Sequence, residues 1–247
     1  MENHVLMTDL DQVIKELAPN GVLKIAINVG NAVLAQRCDN AEGVTGVSVA
    51  LAQRLAAKLG VPYELVVYES AGSTFRDVDN DQWRVAFLAN DPLRAEKLNF
   101  TDPYVLIQGT YLVPEQSPLQ RVEELDQAGH RIAVGQGAVY ELFLTRHIQN
   151  AELVRASTSE QAIHLFAEQG LTAAAGILEA LEQFRAEHPG YRVLPGAFLE
   201  IRQCMVTHRA HSAAHRYISA FLAEVKQTDL VVSELAASGM SATLAAP

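Results

Sequence analysis

The chain predicts an α/β fold of two lobes, each a mostly parallel sheet flanked by helices, the lobes joined by two crossing strands. Short apolar runs at 22–27, 63–68 and 85–89 alternate with helical patterns, as parallel strands buried on both faces do. The same alternation restarts at 131, after an extended stretch at 110–114. A second extended stretch at 199–207 can carry the chain back. Two crossings divide the chain into 1–112 plus 200–247 and 113–199, with a hinge around a cleft.

In order, residues 10–17 form a short amphipathic helix closed by Pro19, Asn20 and Gly21. The strand at 22–27 ends in the polar turn Asn28–Asn31, followed by a polar loop through Gly43 and Gly46. Val47, Val49, Leu51, Leu55 and Leu59 recur at helical spacing, and Gly60 with Pro62 stops that helix. The strand at 63–68 leads into a polar segment, 70–82, that reads as a helix interrupted near Asp79–Asp81. After the strand at 85–89 comes a capped helix that ends at 100–104. In the second lobe, strands are expected at 131–134, 152–156, 173–178 and 191–194. Helices are expected at 139–149, from the capping box 158–161 to Gly170, and through Phe184. Ser212 caps an amphipathic helix, Asp229 caps a last one ending near Gly239, and 241–247 reads as a loose tail.

Ligands of such sheets sit beyond the carboxyl ends of the strands. Three loops fall there: Asn28–Asn31, the stretch beginning at Ser70, and Ala89–Arg94. The last is the most informative. Asn90-Asp91-Pro92 offers an acceptor in the N-cap slot and a proline at the first helical position, where its missing N–H costs nothing. Arg94 then lies in the first turn, where the helix dipole disfavours a cation. It calls for an anionic partner, which backbone N–H groups at the helix start can share. The plainer reading makes Arg94 a surface residue pairing with Asp91 or Glu96. On the functional reading, Arg94 faces the cleft and its loss barely affects the unliganded protein's melting temperature.

The 247 residues leave ample core, and 49% hydrophobic with 19% charged residues is ordinary for a globular chain. A net charge of −10 argues against nucleic acid and anionic membrane surfaces as partners. The sequence holds no apolar run long enough to span a bilayer. The start MENHVLMTDLDQVIKEL lacks the pattern of a secretory signal, which favours the cytoplasm unless an export segment was removed. Cys38 and Cys204 lie far apart outside any metal motif and read as free thiols, a disulfide staying open. Gly135-Gln136-Gly137 lacks the third glycine and distal acid of a dinucleotide fingerprint, so a tight turn is expected and no cofactor. His208, His211 and His215 cluster without an acidic partner in their segment, so no metal site is assigned.

GVLKIAINVGN, GVSVALAQRLAAKLGVPYELVVY, VAFLANDPLRAEKLNFTDPYVLIQGTYLV and RIAVGQGAVYELFL occur in the order found in one family. From about Gly21 to Gly239 the chain resembles the bacterial family 3 solute-binding proteins, the amino-acid receptors of ABC importers. The resemblance implies a type II periplasmic-binding-protein fold that closes on a ligand between its lobes, without chemistry. It implies that Arg94 grips the ligand carboxylate, with N–H groups from the loop Ala89, Asn90 and Asp91. It implies a second-lobe turn, Gln136, Gly137, Ala138 and Val139 with the adjoining Tyr140, on the same carboxylate. Asn31 falls where many relatives place an aromatic ring. An ABC permease or other protein is the implied partner, and a monomer the implied state.

The chain departs from the family where relatives carry an acid for the ligand amine. Ile177 stands near that place, and the first acid is Glu179. The ligand is therefore expected to be a small carboxylate without an α-amine, unless Glu179 or Glu141 reaches the amine. The same fold hosts cyclohexadienyl dehydratases, so a prephenate-dehydratase-like lyase is the alternative, with Glu141 or Glu179 as its acid. Both lie on expected helices, where solvated surface is the plainer reading. A cytoplasmic ligand sensor is the third reading.

Overall fold

The computed structural model describes the backbone of residues 2–247 and the side chains of residues 10–247. The export-signal reading draws partly on side chains 1–9, which lie outside the described residues. In chain order the elements are α1 (Glu2–Leu17), β1 (Leu23–Asn28), β2 (Gln36–Arg37), β3 (Val44–Thr45), α2 (Val47–Leu59), β4 (Tyr63–Tyr68) and α3 (Ala71–Arg76). Then come β5 (Val85–Ala89), α4 (Pro92–Ala95), β6 (Leu98–Pro114), β7 (Arg131–Gly135), α5 (Val139–His147), β8 (Glu152–Ala156) and α6 (Ser159–Gln169). The chain ends with β9 (Ala173–Ile177), α7 (Leu178–Glu187), β10 (Tyr191–Val193), β11 (Leu199–His208), α8 (Ser212–Val225) and α9 (Leu230–Ala237). They group into two compact units: Met1–Glu69, Ser73–Leu106 and Arg202–Pro247 form one, and Ser70–Gly72 with Ile107–Ile201 form the other.

In the first unit β4, β1 and β5 run parallel, and the 203–207 part of β11 pairs antiparallel with β5. All five residues of β5 are buried, as its unbroken apolar run requires. Helix α2 buries Val47, Leu51, Leu55 and Leu59, contacts β1 and α9, and ends on Gly60 in the left-handed conformation. The Tyr104 hydroxyl lies 3.0 Å from Ser48 Oγ, and its ring meets Phe87 edge-on at 5.8 Å. Both cysteines are free, and burial pushes the Cys204 thiol up to about 12.

In the second unit β8, β7 and β9 are parallel, and β6 pairs antiparallel with both β9 and β10. Leu112, Ile163, Phe166, Leu181 and Phe184 centre its core. The small residues of β9 answer a packing need. A Cβ at Gly176 would lie 2.9 Å from Leu181 Cδ2, so only hydrogen lets α7 pack this closely.

Several local expectations are corrected. Residues 36–45 carry the hairpin β2–β3 rather than a plain loop, and α1 begins well before residue 10. The helix after Asp91 lasts one turn, because the Lys97 carbonyl accepts the Arg209 N–H at 2.7 Å and Leu98 enters β6. Ser212 is the first residue of α8, whose N-cap is His211. The tail is tied down, with Ala245 bridging Val105 and Ala246 N donating to the Tyr104 carbonyl at 3.0 Å.

The histidines at the start of α8 set a pH dependence. Among the described residues, Nδ1 of His211 and of His215 is buried without a hydrogen-bond partner. Burial lowers both pKa values, and the Arg84 and His208 charges lower that of His211 further while Glu16 and Asp81 oppose them. The native state therefore holds these rings neutral where the unfolded chain protonates them. Their contribution is fully present above the unfolded value of ~6.5 and is lost as pH falls through the folded values. The melting temperature should be lower at about pH 5 than at about pH 7.5. That difference should shrink in the His211→Gln/His215→Gln protein by differential scanning calorimetry; an unchanged difference would assign the effect elsewhere.

Candidate functional site

In the first unit the loops after β1 and β5 leave the carboxyl ends of parallel strands. Asn28 Oδ1 accepts the Gly30 N–H at 2.9 Å, and the buried Asn31 accepts the Val33 N–H at 3.1 Å. The Asn31 side chain thus shapes its own turn. Asp91 is the N-cap of α4, accepting the Leu93 N–H at 2.9 Å, with Pro92 at N1 as the sequence pattern predicts. The Asn90 N–H is taken by the Arg202 carbonyl at 3.0 Å, which continues the β5–β11 ladder.

Arg94 has no exposed surface, which excludes the surface-residue reading. Its Nη1 donates to the Ala89 carbonyl at 2.9 Å, so the side chain folds back over the end of its own strand. Desolvation pulls its pKa down to about 10 while the nearby Asp91 charge raises it. It therefore stays a cation at neutral pH, buried beside one carboxylate.

Ser70 is half-buried and falls, with Ala71 and Gly72, in the second unit. There the loop after β7 closes tightly. Gln136 N donates to Ala156 O at 2.8 Å, and Ala138 N to Gly135 O at 3.1 Å. Gly137 adopts φ 76, and a Cβ on it would lie 2.7 Å from Gly72 Cα. Val139 and Tyr140 open α5 and are buried, and the Tyr140 hydroxyl donates to Ser159 Oγ at 2.8 Å. The N-cap Ala138 has no side-chain oxygen, so the first N–H groups of α5 have neither an intrahelical nor a capping acceptor.

Sequence reasoning missed what lies beneath this turn. Glu141 is buried, not a solvated surface acid. Its Oε2 accepts the Gly137 N–H at 3.1 Å, and its Oε1 accepts Thr145 Oγ1 at 2.9 Å and Arg155 Nε at 2.8 Å. No local pattern announces Arg155, which β8 delivers by pairing in parallel with β7. Glu179 follows β9 in the first turn of α7, and its Oε2 is buried with no hydrogen-bond partner. Burial raises the Glu179 pKa, and its own backbone N–H opposes the rise. Among the described residues, no three His, Cys, Asp or Glu side chains could together hold a metal ion. His208 pairs with Asp79 at 3.6 Å, and His211 sits 3.5 Å from Arg84.

Two α/β units with loop clusters beyond their parallel strands, one holding a buried arginine, define a binding protein of the type II periplasmic-binding-protein fold. The chain belongs to the bacterial extracellular solute-binding proteins, family 3, whose model matches residues 23–232. Members of this family bind solutes and carry out no reaction, so the lyase alternative is set aside.

Solved structures share the fold. One is an amino-acid ABC transporter substrate-binding protein of Streptococcus pneumoniae bound to L-arginine, with TM-score 0.78, 17% identity and coverage of 91% of this chain and 97% of that one. Another is a cysteine-binding protein of Campylobacter jejuni, with TM-score 0.77, 17% identity and coverage of 93% and 92%. A third is a mutant of the arginine-binding protein of T. maritima, with TM-score 0.76, 18% identity and coverage of 91% and 99%. No curated protein matches the chain by sequence. Among the described residues, no helix is long and apolar enough to cross a membrane.

Proposed function

We propose that the protein binds a small carboxylate-bearing solute, an amino acid or a related organic acid. The observation that carries this reading is Arg94. Arg94 is a guanidinium with no exposed surface, and a planar carboxylate is the anion that matches its fork. Its place at the carboxyl end of β5 is where parallel α/β sheets take ligands. The fold relatives bound to L-arginine and lysine, and the cysteine-binding protein, support an amino-acid-sized ligand.

On this reading Arg94 takes the carboxylate at the carboxyl end of β5. Asn31, Ala89, Asn90 and Asp91 belong to the loops of the first unit, and Ser70 and Gln136 to Ala138 to those of the second. An ABC permease as docking partner and a monomeric state belong to the same proposal. So does action on the extracellular or periplasmic side, which the family's description carries, rather than in the cytoplasm that the start of the chain suggested.

Native mass spectrometry of the purified protein, followed by thermal shifts with the standard amino acids and their matched 2-hydroxy acids, tests the reading. A ligand that binds the native state raises the melting temperature by mass action. The expected result is a co-purifying small acid, or a saturable shift with at least one member of the panel. A protein that carries no adduct and is shifted by none of them would overturn the proposal.

A further inference from the structure

Arg94 sits in a helix of four residues, Pro92–Ala95. The Ala95 N–H closes that turn on the Asp91 carbonyl at 2.9 Å, but one turn is too short to hold itself. Asp91 secures its start by accepting the Leu93 N–H. Its carbonyl end is secured from far along the chain. Arg209, in the corner between β11 and α8, brackets residues 95–99. Its Nη1 donates to Ala95 O at 3.1 Å, its backbone N–H donates to Lys97 O at 2.7 Å, and its carbonyl accepts Asn99 Nδ2 at 3.2 Å. Lys97 in turn donates its N–H to the carbonyl of Arg94 at 3.1 Å and pairs its ammonium with Asp79. The Met205 N–H, donating to Thr101 Oγ1 at 3.0 Å, ties β11 to the strand that follows. All of these residues belong to the first unit.

Arg209 is exposed, so replacing it opens no cavity in the core. Its guanidinium nevertheless reaches the backbone carbonyl one residue beyond Arg94. The last carbonyls of a helix have no partner within it, and a cationic side chain that donates to one fixes where the turn ends. What Arg209 contributes is therefore placement, not packing. We propose that Arg209 is a positioning residue for solute binding, holding the turn that carries Arg94 in the geometry that receives a carboxylate. The inference rests on the solute-binding reading above and adds to it a residue that acts through Arg94. Without the Arg209 side chain the turn samples other arrangements, and binding must supply the order that the wild type already has. Affinity then falls while the fold stays.

The test titrates wild type, Arg209→Ala and Arg209→Lys by calorimetry with the standard L-amino acids and their 2-hydroxy acids. Arg209→Ala should bind each acid that wild type binds about tenfold more weakly, while its unliganded melting temperature moves little. Arg209→Lys still offers an N–H to the Ala95 carbonyl and should stay within about threefold of wild type. Hydrogen exchange in unliganded Arg209→Ala should quicken in peptides spanning 91–99 and not in those from β1 or α2. The loss of affinity should persist in about 1 M salt, where a Debye length of about 3 Å screens out any long-range effect of the lost charge. Wild-type affinity in Arg209→Ala, an equal loss in Arg209→Lys, a loss that salt abolishes, or faster exchange across the whole unit would each overturn the proposal. A wild type that binds none of these acids would instead sink the solute reading itself, and this inference with it.

Discussion

Arg94→Ala is expected to weaken solute binding by about 2–4 kcal/mol, roughly 30- to 900-fold in Kd. The guanidinium is wholly buried and already anchored by Ala89 O, so a carboxylate meeting it would form charge-assisted bonds in a dry setting. Full burial also revises the expectation that the unliganded protein would barely notice the change. Asp91, only 2% exposed, would lose its neighbouring cation, and a cavity would open at the end of β5. The unliganded melting temperature should fall too, so affinity has to be measured by calorimetry below the variant's transition. Arg94→Lys keeps the charge but not the planar fork, and should lie between Ala and wild type. Wild-type affinity in Arg94→Ala would remove the arginine from the site.

The second large effect lies under the turn of the second unit. Arg155→Ala should destabilise the protein by about 2–3 kcal/mol in urea unfolding, because the Glu141 carboxylate would stay buried without its counter-charge. Glu141→Gln should cost less, about 1–2 kcal/mol, since the remaining guanidinium can turn to water. The asymmetry follows from exposure: the Glu141 side chain is 6% exposed and that of Arg155 40%. The Glu141→Gln protein should bind solute more weakly as well, because Oε2 is the acceptor that fixes the Gly137 N–H. Equal costs for the two variants would mean that the carboxylate reaches water in solution. A Glu141→Gln protein with unaltered stability would show that the ion pair contributes nothing net.

What the residues determine by themselves is local and periodic. The apolar runs 85–89 and 132–134 fit strands buried on both faces, and Asp91 before Pro92 suits the start of a helix turn. The Thr158 cap on the Gln161 N–H and the left-handed Gly60 and Gly170 likewise express a side chain acting on its own backbone. Such features need no distant partner, which is why the α/β order and the family could be read from the chain. The tertiary structure decided every feature whose partner is remote in sequence. It decided that Arg94 is buried rather than exposed, and that one turn after Asp91 gives way to β6 through the bond from Arg209 to Lys97. It also decided the fates of two acids that look alike in sequence: strand register sets Arg155 beside Glu141, while packing at the end of β9 buries an oxygen of Glu179 and brings it no donor. Propensity and capping act over three or four residues. The energy of a buried charge depends on which atoms replace its water, and the fold supplies those atoms from other strands.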